Sequence, residues 1–345
     1  MNFLSADVRE RLTVAAEEAD RQLDWPVSSW DLLRQAGAVG WSIPREYGGA
    51  GLSAVELLVG LESIASGCLT TAFALSQREA AIRHLLKGPV ALRERFLPRL
   101  ARGEIYMTVG LSQLTTSRQH QEPALRATLL SDGRVRLEGE IPWVTGADQA
   151  AGIIVGATLA DSTQVLLVLP AERLVGQIDP PLQLASLGGS RTSLVHCREV
   201  IIEPAEILVG PVESVLGKSG GGGLDTSCLA IGLSAAAVGY LREEVAARPA
   251  LDEMTVGFER TLETVRGQLH ELAVAPDSER VLALRLEATL LVLRVTQAAL
   301  MVAKGVGFVA PHPAQRWARQ AQFFLVWSCP RPVSEGVLAR LAGAV

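Results

Sequence analysis

The chain is poor in the residues that most readily disclose a chemistry. Aromatics make up 5% of its 345 residues, too few for the stacking platforms on which nucleobases lie. Cys68, Cys197, Cys228 and Cys329 stand far apart with no CxxC pair, which excludes a zinc knuckle and a dithiol redox motif. His84, His120, His196, His270 and His312 lack metal-ligand spacing. HExxH and GxSxG are missing, as is GxGxxG after a strand. Gly217-Lys218-Ser219 has no glycine five residues upstream and no preceding strand, so it does not read as a phosphate-binding loop. An excess of positive charge is absent too. The net charge is −5 and the pI near 5.7, which argues against electrostatic binding of nucleic acid.

Long membrane-spanning runs are also lacking. The most apolar stretch, 289–303, is interrupted by Arg294 and too short to span a bilayer. The first ten residues turn amphipathic at once and contain no signal-peptide core. A cytoplasmic location with reduced thiols is the expectation. Apolar residues, by contrast, are plentiful: 48% of the chain, with mean hydropathy +0.26. Such a balance asks for a large interior, or for helices that bury a face between subunits. The apolar segments 224–247 and 278–304 are the candidates for such a face, and a dimer or dimer of dimers is expected.

Three textures follow one another. Residues 1–105 carry helical spacing over 7–23, 30–36, 53–65, 70–86 and 89–102. Ser53 followed by Glu56 reads as a capping box. Residues 106–215 switch to period 2, with strands expected at 106–111, 123–130, 134–139, 151–158, 164–169, 194–197 and 199–203. These suggest a small antiparallel barrel or sandwich. Residues 216–345 open on a glycine run and return to helical period over 224–247, 255–273, 278–304 and 313–327. The fold class is α+β: an N-terminal helical domain, a middle β domain and a C-terminal helical bundle.

The most informative stretch is 134–147. Val135 and Leu137 alternate with charged residues, Gly139 and Pro142 punctuate the strand, and Trp143-Val144-Thr145 follows. Trp143 offers a flat aromatic face and Thr145 a nearby hydroxyl. A planar heteroaromatic cofactor with a ring nitrogen needs such a pair; a core tryptophan beside an ordinary strand threonine has the same spelling.

Two further features stand in order around it: Ile43-Pro44-Arg45-Glu46-Tyr47-Gly48-Gly49-Ala50-Gly51-Leu52-Ser53 before, and Gly305-Val306-Gly307-Phe308 with Arg316-Trp317-Ala318-Arg319 after. With these three features in this order, nearly the whole chain resembles the acyl-CoA dehydrogenase family. The resemblance implies FAD between the β domain and the bundle, reaching a neighbouring subunit, and an acyl thioester, on CoA or a carrier protein, against its other face. Trp143 would pack beside the isoalloxazine and Thr145 would bond its ring. Ser112 would supply a hydroxyl, and Ser117 and Arg118 would lie toward the substrate. Arg248, Met301 and Gly305 would fall at the pyrophosphate and far end of FAD.

The chain departs from the family pattern at several of these positions. Ser112–Gln119 lacks the family's glycines, Ile141 stands where a lysine is usual, Arg248 is only a loose match, and Met301 replaces a glutamine. The usual catalytic glutamate falls on Ser328, and the alternative family position falls near Ser227. Asp225 and Glu335 are the nearest carboxylates in sequence, and Glu335 is the alternative base. Three readings therefore stand open. One is an FAD-dependent oxidoreductase acting on CH–CH groups of an acyl thioester, with an unknown electron acceptor. The second is a flavin-dependent monooxygenase of the same fold. The third is a non-catalytic subunit paired with an active homologue.

Overall fold

The computed structural model describes residues 4–114, 122–217 and 223–343. Five helices come first: α1 (Ala6–Arg21), α2 (Val27–Gln35), α3 (Ala54–Gly67), α4 (Leu69–Lys87) and α5 (Val90–Ala101). The capping box is present as read. Ser53 Oγ accepts the Glu56 N–H at 3.3 Å, and Glu56 Oε2 accepts the Ser53 N–H at 2.9 Å. The turns between α2 and α3 pack backbone on backbone. A Cβ on Gly49 would stand 2.0 Å from the Ile43 carbonyl oxygen, so only glycine fits there.

Among the described residues seven strands follow: β1 (Tyr106–Gly110), β2 (Leu125–Leu129), β3 (Val135–Val144), β4 (Ala150–Thr158), β5 (Gln164–Pro170), β6 (Ser193–Ile202) and β7 (Ile207–Val212). They form one sheet in the order β6-β3-β2-β4-β5-β7, with β1 also beside β4. The expected middle β domain is present, but in place of an antiparallel barrel or sandwich it is one sheet that is not closed, and it is mixed, because β1 and β2 both run parallel to β4. The reason lies in β4 and β5, which are apolar on both faces. Ile153, Val155, Leu167 and Leu169 fill one core within the sheet domain, while Ile154, Leu166 and Val168 pack under α4 and α5. Strands covered on both sides need no barrel closure to hide a face.

Two expected strands, 194–197 and 199–203, are one strand, β6. Glu199 sits at φ 53° and interrupts the alternation. β7 went unread because Gly210-Pro211 breaks its pattern.

Five helices close the chain: α6 (Leu224–Val245), α7 (Asp252–Val274), α8 (Ser278–Ala303), α9 (Pro313–Phe323) and α10 (Arg331–Leu341). α9 ends four residues before the expected limit, and α10 starts after Pro330 at its N-cap, with Pro332 in its first turn and Glu335 one turn in. α6 and α8 are long and apolar enough to cross a membrane by length and composition, yet more than half of α6 and half of α8 are buried within the fold. One helical core joins the two ends of the chain: Leu12, Leu33, Leu61 and Ile64 pack with Leu229, Leu241, Leu269 and Leu291. α6 lies against α3 so closely that a Cβ on Gly232 would stand 2.6 Å from Ala65 Cβ.

Candidate functional site

The tryptophan segment is shaped by an irregularity. The β3–β6 register slips between Ile141 and Val144, so Pro142-Trp143 forms a bulge. Trp143 takes φ 60°, a region a bulky side chain rarely enters, and its indole is 55% exposed. Ser112, just after β1, donates from Oγ to the Pro142 carbonyl at 2.9 Å. Ser112 and Trp143 are therefore brought together.

Thr145 turns the other way and is 1% exposed. Its Oγ1 lies 3.4 Å from Thr192 Oγ1, which in turn lies 3.0 Å from Ser190 Oγ. The Gly146 N–H donates to the Ser190 carbonyl at 2.8 Å. Gly146 holds φ 60° with no room for a Cβ against Tyr106 and Trp25. Residues 145–147 are thus clamped to the 188–192 turn, and the Thr145 hydroxyl is engaged inside it. Ile141 is fully buried in the sheet core, where a lysine would leave its charge unsolvated.

A second group forms at one end of the bundle. Arg248 follows α6 and donates from Nη1 to the Val302 carbonyl at 2.8 Å, while Nη2 pairs with Glu244. That bond lowers the Glu244 pKa. Met301, 77% exposed, lies in the last turn of α8, and Gly305 in the turn that follows it, beside exposed Val306 and Phe308. Arg248, Met301 and Gly305 therefore cluster. Ser117 and Arg118 lie outside the described residues.

Ser328, the position where the resemblance puts the usual base, lies in a turn after α9. Ser328 takes φ 43° and is half-buried. Arg285 of α8, 5% exposed, holds this turn by donating from Nη2 to the carbonyls of Phe324 at 3.0 Å and Trp327 at 2.9 Å. Burial pushes its pKa down to about 10. Trp327 stacks on Phe323 with centroids 5.2 Å apart, and Phe73 of α4 meets both rings edge-on at 4.9 Å. Burial raises the Cys329 thiol.

The nearby carboxylates are committed elsewhere. Glu335 sits exposed on α10 and bonds Arg331 at 2.7 Å, an ordinary solvated pair. Asp225, at the start of α6, accepts Arg83 Nη2 at 2.5 Å. Ser227 is buried in α6. The buried Arg285 escaped the sequence reading; its only signal was a lone arginine inside the apolar run 281–293.

α4 adds charges that no motif announced. Arg78 and Glu79 are both buried and bonded at 3.0 Å; burial raises the Glu79 pKa. His84 is pushed down to about 4, first by burial, then by Arg83 and Lys87. A folded-state pKa below 6.5 stabilises the fold above pH 6.5, and that contribution is lost as the pH falls through about 4. It amounts to at most ~3 kcal/mol. Urea unfolding of the wild type should weaken over this window, and His84→Gln should flatten that part of the profile; identical profiles would show that His84 carries none of it.

Helix–sheet–helix order, a bulged Trp143 beside Ser112, and a charged turn at the far end of the bundle define a protein of the acyl-CoA dehydrogenase fold. The family model "Acyl-CoA dehydrogenase, N-terminal domain" matches residues 4–104. Acryloyl-CoA reductase (NADH) of Anaerotignum propionicum is 22% identical over 368 residues, covering 95% of this chain and 90% of the relative. L-prolyl-[peptidyl-carrier protein] dehydrogenase of Pseudomonas fluorescens is 28% identical over 153 residues, covering 43% of this chain and 40% of the relative. Butyryl-CoA dehydrogenase of Megasphaera elsdenii superposes with a TM-score of 0.81 at 18% identity, covering 100% of this chain and 99% of that one. Dibenzothiophene monooxygenase of Paenibacillus superposes with a TM-score of 0.79 at 16% identity, covering 98% and 97%. The N-terminal region thus matches the acyl-CoA dehydrogenase family, and the whole chain shares the fold of its solved members.

Proposed function

We propose that this chain is a flavin-dependent oxidoreductase of the acyl-CoA dehydrogenase type, acting on an acyl thioester borne by CoA or by a carrier protein. The observation that carries the reading is Trp143, strained and exposed in a bulge that Ser112 pins, within a chain matched over almost its whole length by a CoA-thioester enzyme. FAD is the flavin we assign. The ring end fits: an exposed indole on a rigid segment gives a flat face for an isoalloxazine. Thr145 fits less well, because its hydroxyl is bound to Thr192. Backbone groups of the bulge would then carry the polar contacts. Flavin supplies the two-electron redox chemistry, while this chain orients it and shields it from water. Arg248, Met301 and Gly305 form a separate group, suited to the far end of a flavin held by a neighbouring copy. On that reading the protein works as an oligomer, in the cytoplasm, with its cysteines reduced.

The binding reading predicts that Trp143→Ala lowers the flavin-to-chain ratio of the purified protein several-fold, with unchanged far-ultraviolet circular dichroism. A protein with no flavin absorbance, before or after addition of FAD, would refute it and favour a non-catalytic subunit. Bleaching of the flavin by acyl-CoA tests the oxidoreductase reading.

One observation favours a second reading, a flavin monooxygenase like the structural neighbour that acts on dibenzothiophene. Ser328 leaves the usual base position without a carboxylate, and a reaction run by oxygen on reduced flavin needs no such base. Oxygen uptake with a flavin reductase present, without bleaching by acyl-CoA, would select it.

A further inference from the structure

The surface formed by the end of α4 and the outer face of α5 concentrates positive charge on an otherwise acidic protein. Residues 83–104 hold six Lys and Arg against two Glu, in a chain of net charge −5. Arg95, Arg99 and Arg102 recur at i, i+4 and i+7 and are all exposed, so their guanidinium groups share one stripe. Lys87 is exposed at the end of α4, whereas Arg93 lies on the other, half-buried side of α5 with its Nε buried. Among the described residues, Lys87, Arg93 and Arg95 form no ion pair, while Arg99 and Arg102 share Glu104. Arg95 is held over the Phe96 ring, 4.9 Å from its centroid.

The patch also adjoins the candidate site. Arg83 of α4 bonds Asp225, two residues before Ser227. Beneath α5, Leu92 and Leu97 share a core with Val109 and Leu111, the residues that lead into Ser112. The stripe lies on the convex outer side of a helix. Two hollows of the described surface lie elsewhere, along β6 and along α1. A nucleotide such as that of CoA is normally gripped in a concave site. A flat cationic stripe on a helix instead suits a large acidic surface, drawn in over a Debye length and oriented by charge.

We propose that this α4–α5 face docks an acidic carrier-protein domain, which presents the acyl group as a phosphopantetheine thioester. The inference rests on the thioester reading above and chooses the carrier-protein form of the substrate.

Binding of a butyryl-loaded holo acyl carrier protein, measured by calorimetry beside butyryl-CoA, tests it. Carrier binding is expected at low salt, weakening ~10-fold when sodium chloride rises to ~300 mM. Arg95→Glu with Arg99→Glu should weaken it at least ~10-fold, and the Gln pair by an intermediate amount, with butyryl-CoA affinity moved less than ~2-fold. Absence of carrier binding, carrier binding equal in wild type and both variants, or a parallel loss of butyryl-CoA affinity would each overturn the docking surface. The thermal transition of the variants reports whether they fold, and the Gln pair keeps the test valid if the Glu pair does not. Docking is scored by binding alone. Failure of both thioesters to bleach the flavin would therefore refute the thioester reading without altering that score.

Discussion

Ser328→Glu is expected to raise the rate at which a simple acyl-CoA reduces the bound flavin by about 10²–10⁴-fold, the usual contribution of a positioned general base. A serine hydroxyl cannot take an α-proton near neutral pH unless another group activates it. The turn that carries Ser328 is held from within by Arg285 through two carbonyls, and it already accepts a side chain at φ 43°. A glutamate there changes the chemistry more than the backbone. Stopped-flow bleaching of the flavin measures the gain. Glu335→Gln should leave the rate unchanged, because Glu335 is exposed and paired with Arg331 on α10. Ordinary wild-type turnover lost in Glu335→Gln alone would instead make Glu335 the base and refute the placement of Ser328.

Asp20→Ala should cost about 2–4 kcal/mol, the range for leaving two buried donors unpaired at about 1–3 kcal/mol each. Asp20 of α1 is 2% exposed and joins three parts of the chain. Its Oδ1 accepts the Leu187 N–H at 3.0 Å and Gln320 Nε2 at 2.8 Å, and its Oδ2 lies 2.7 Å from Arg319 Nη1. The alanine variant strands the Leu187 N–H and the Gln320 amide in the interior, while Arg319, 33% exposed, keeps its bonds to Gln315 and the Ala185 carbonyl. Asp20→Asn keeps one acceptor and should lose less. Denaturant unfolding of the two variants gives the comparison. A loss below ~1 kcal/mol for the alanine variant would show that water replaces the carboxylate, since surface changes fall in that range.

Asp20 also shows where sequence reading stops. It lies in an amphipathic helix like any solvated aspartate, and its partners are more than 160 residues away. Glu79 and Arg78 pose the same difficulty: adjacent opposite charges read as a surface pair, yet both are buried. The stretch 134–147 was legible as a strand with an aromatic punctuation. That its register slips, turning Trp143 outward and Thr145 inward, depends on pairing with β6 and the 188–192 turn.

The order of helices, then strands, then helices follows from local pattern, because apolar periods of 3.6 and 2 are properties of short segments. So does the start of α3, since a capping box is completed within four residues. The absence of a carboxylate at 328 is likewise a fact of the sequence. Tertiary structure alone decided that the sheet stays open and mixed, that the first and last helices share one core, and that the carboxylates nearest Ser328 in sequence are held elsewhere. Each of these depends on contacts between residues distant in the chain, whose energies no local pattern encodes.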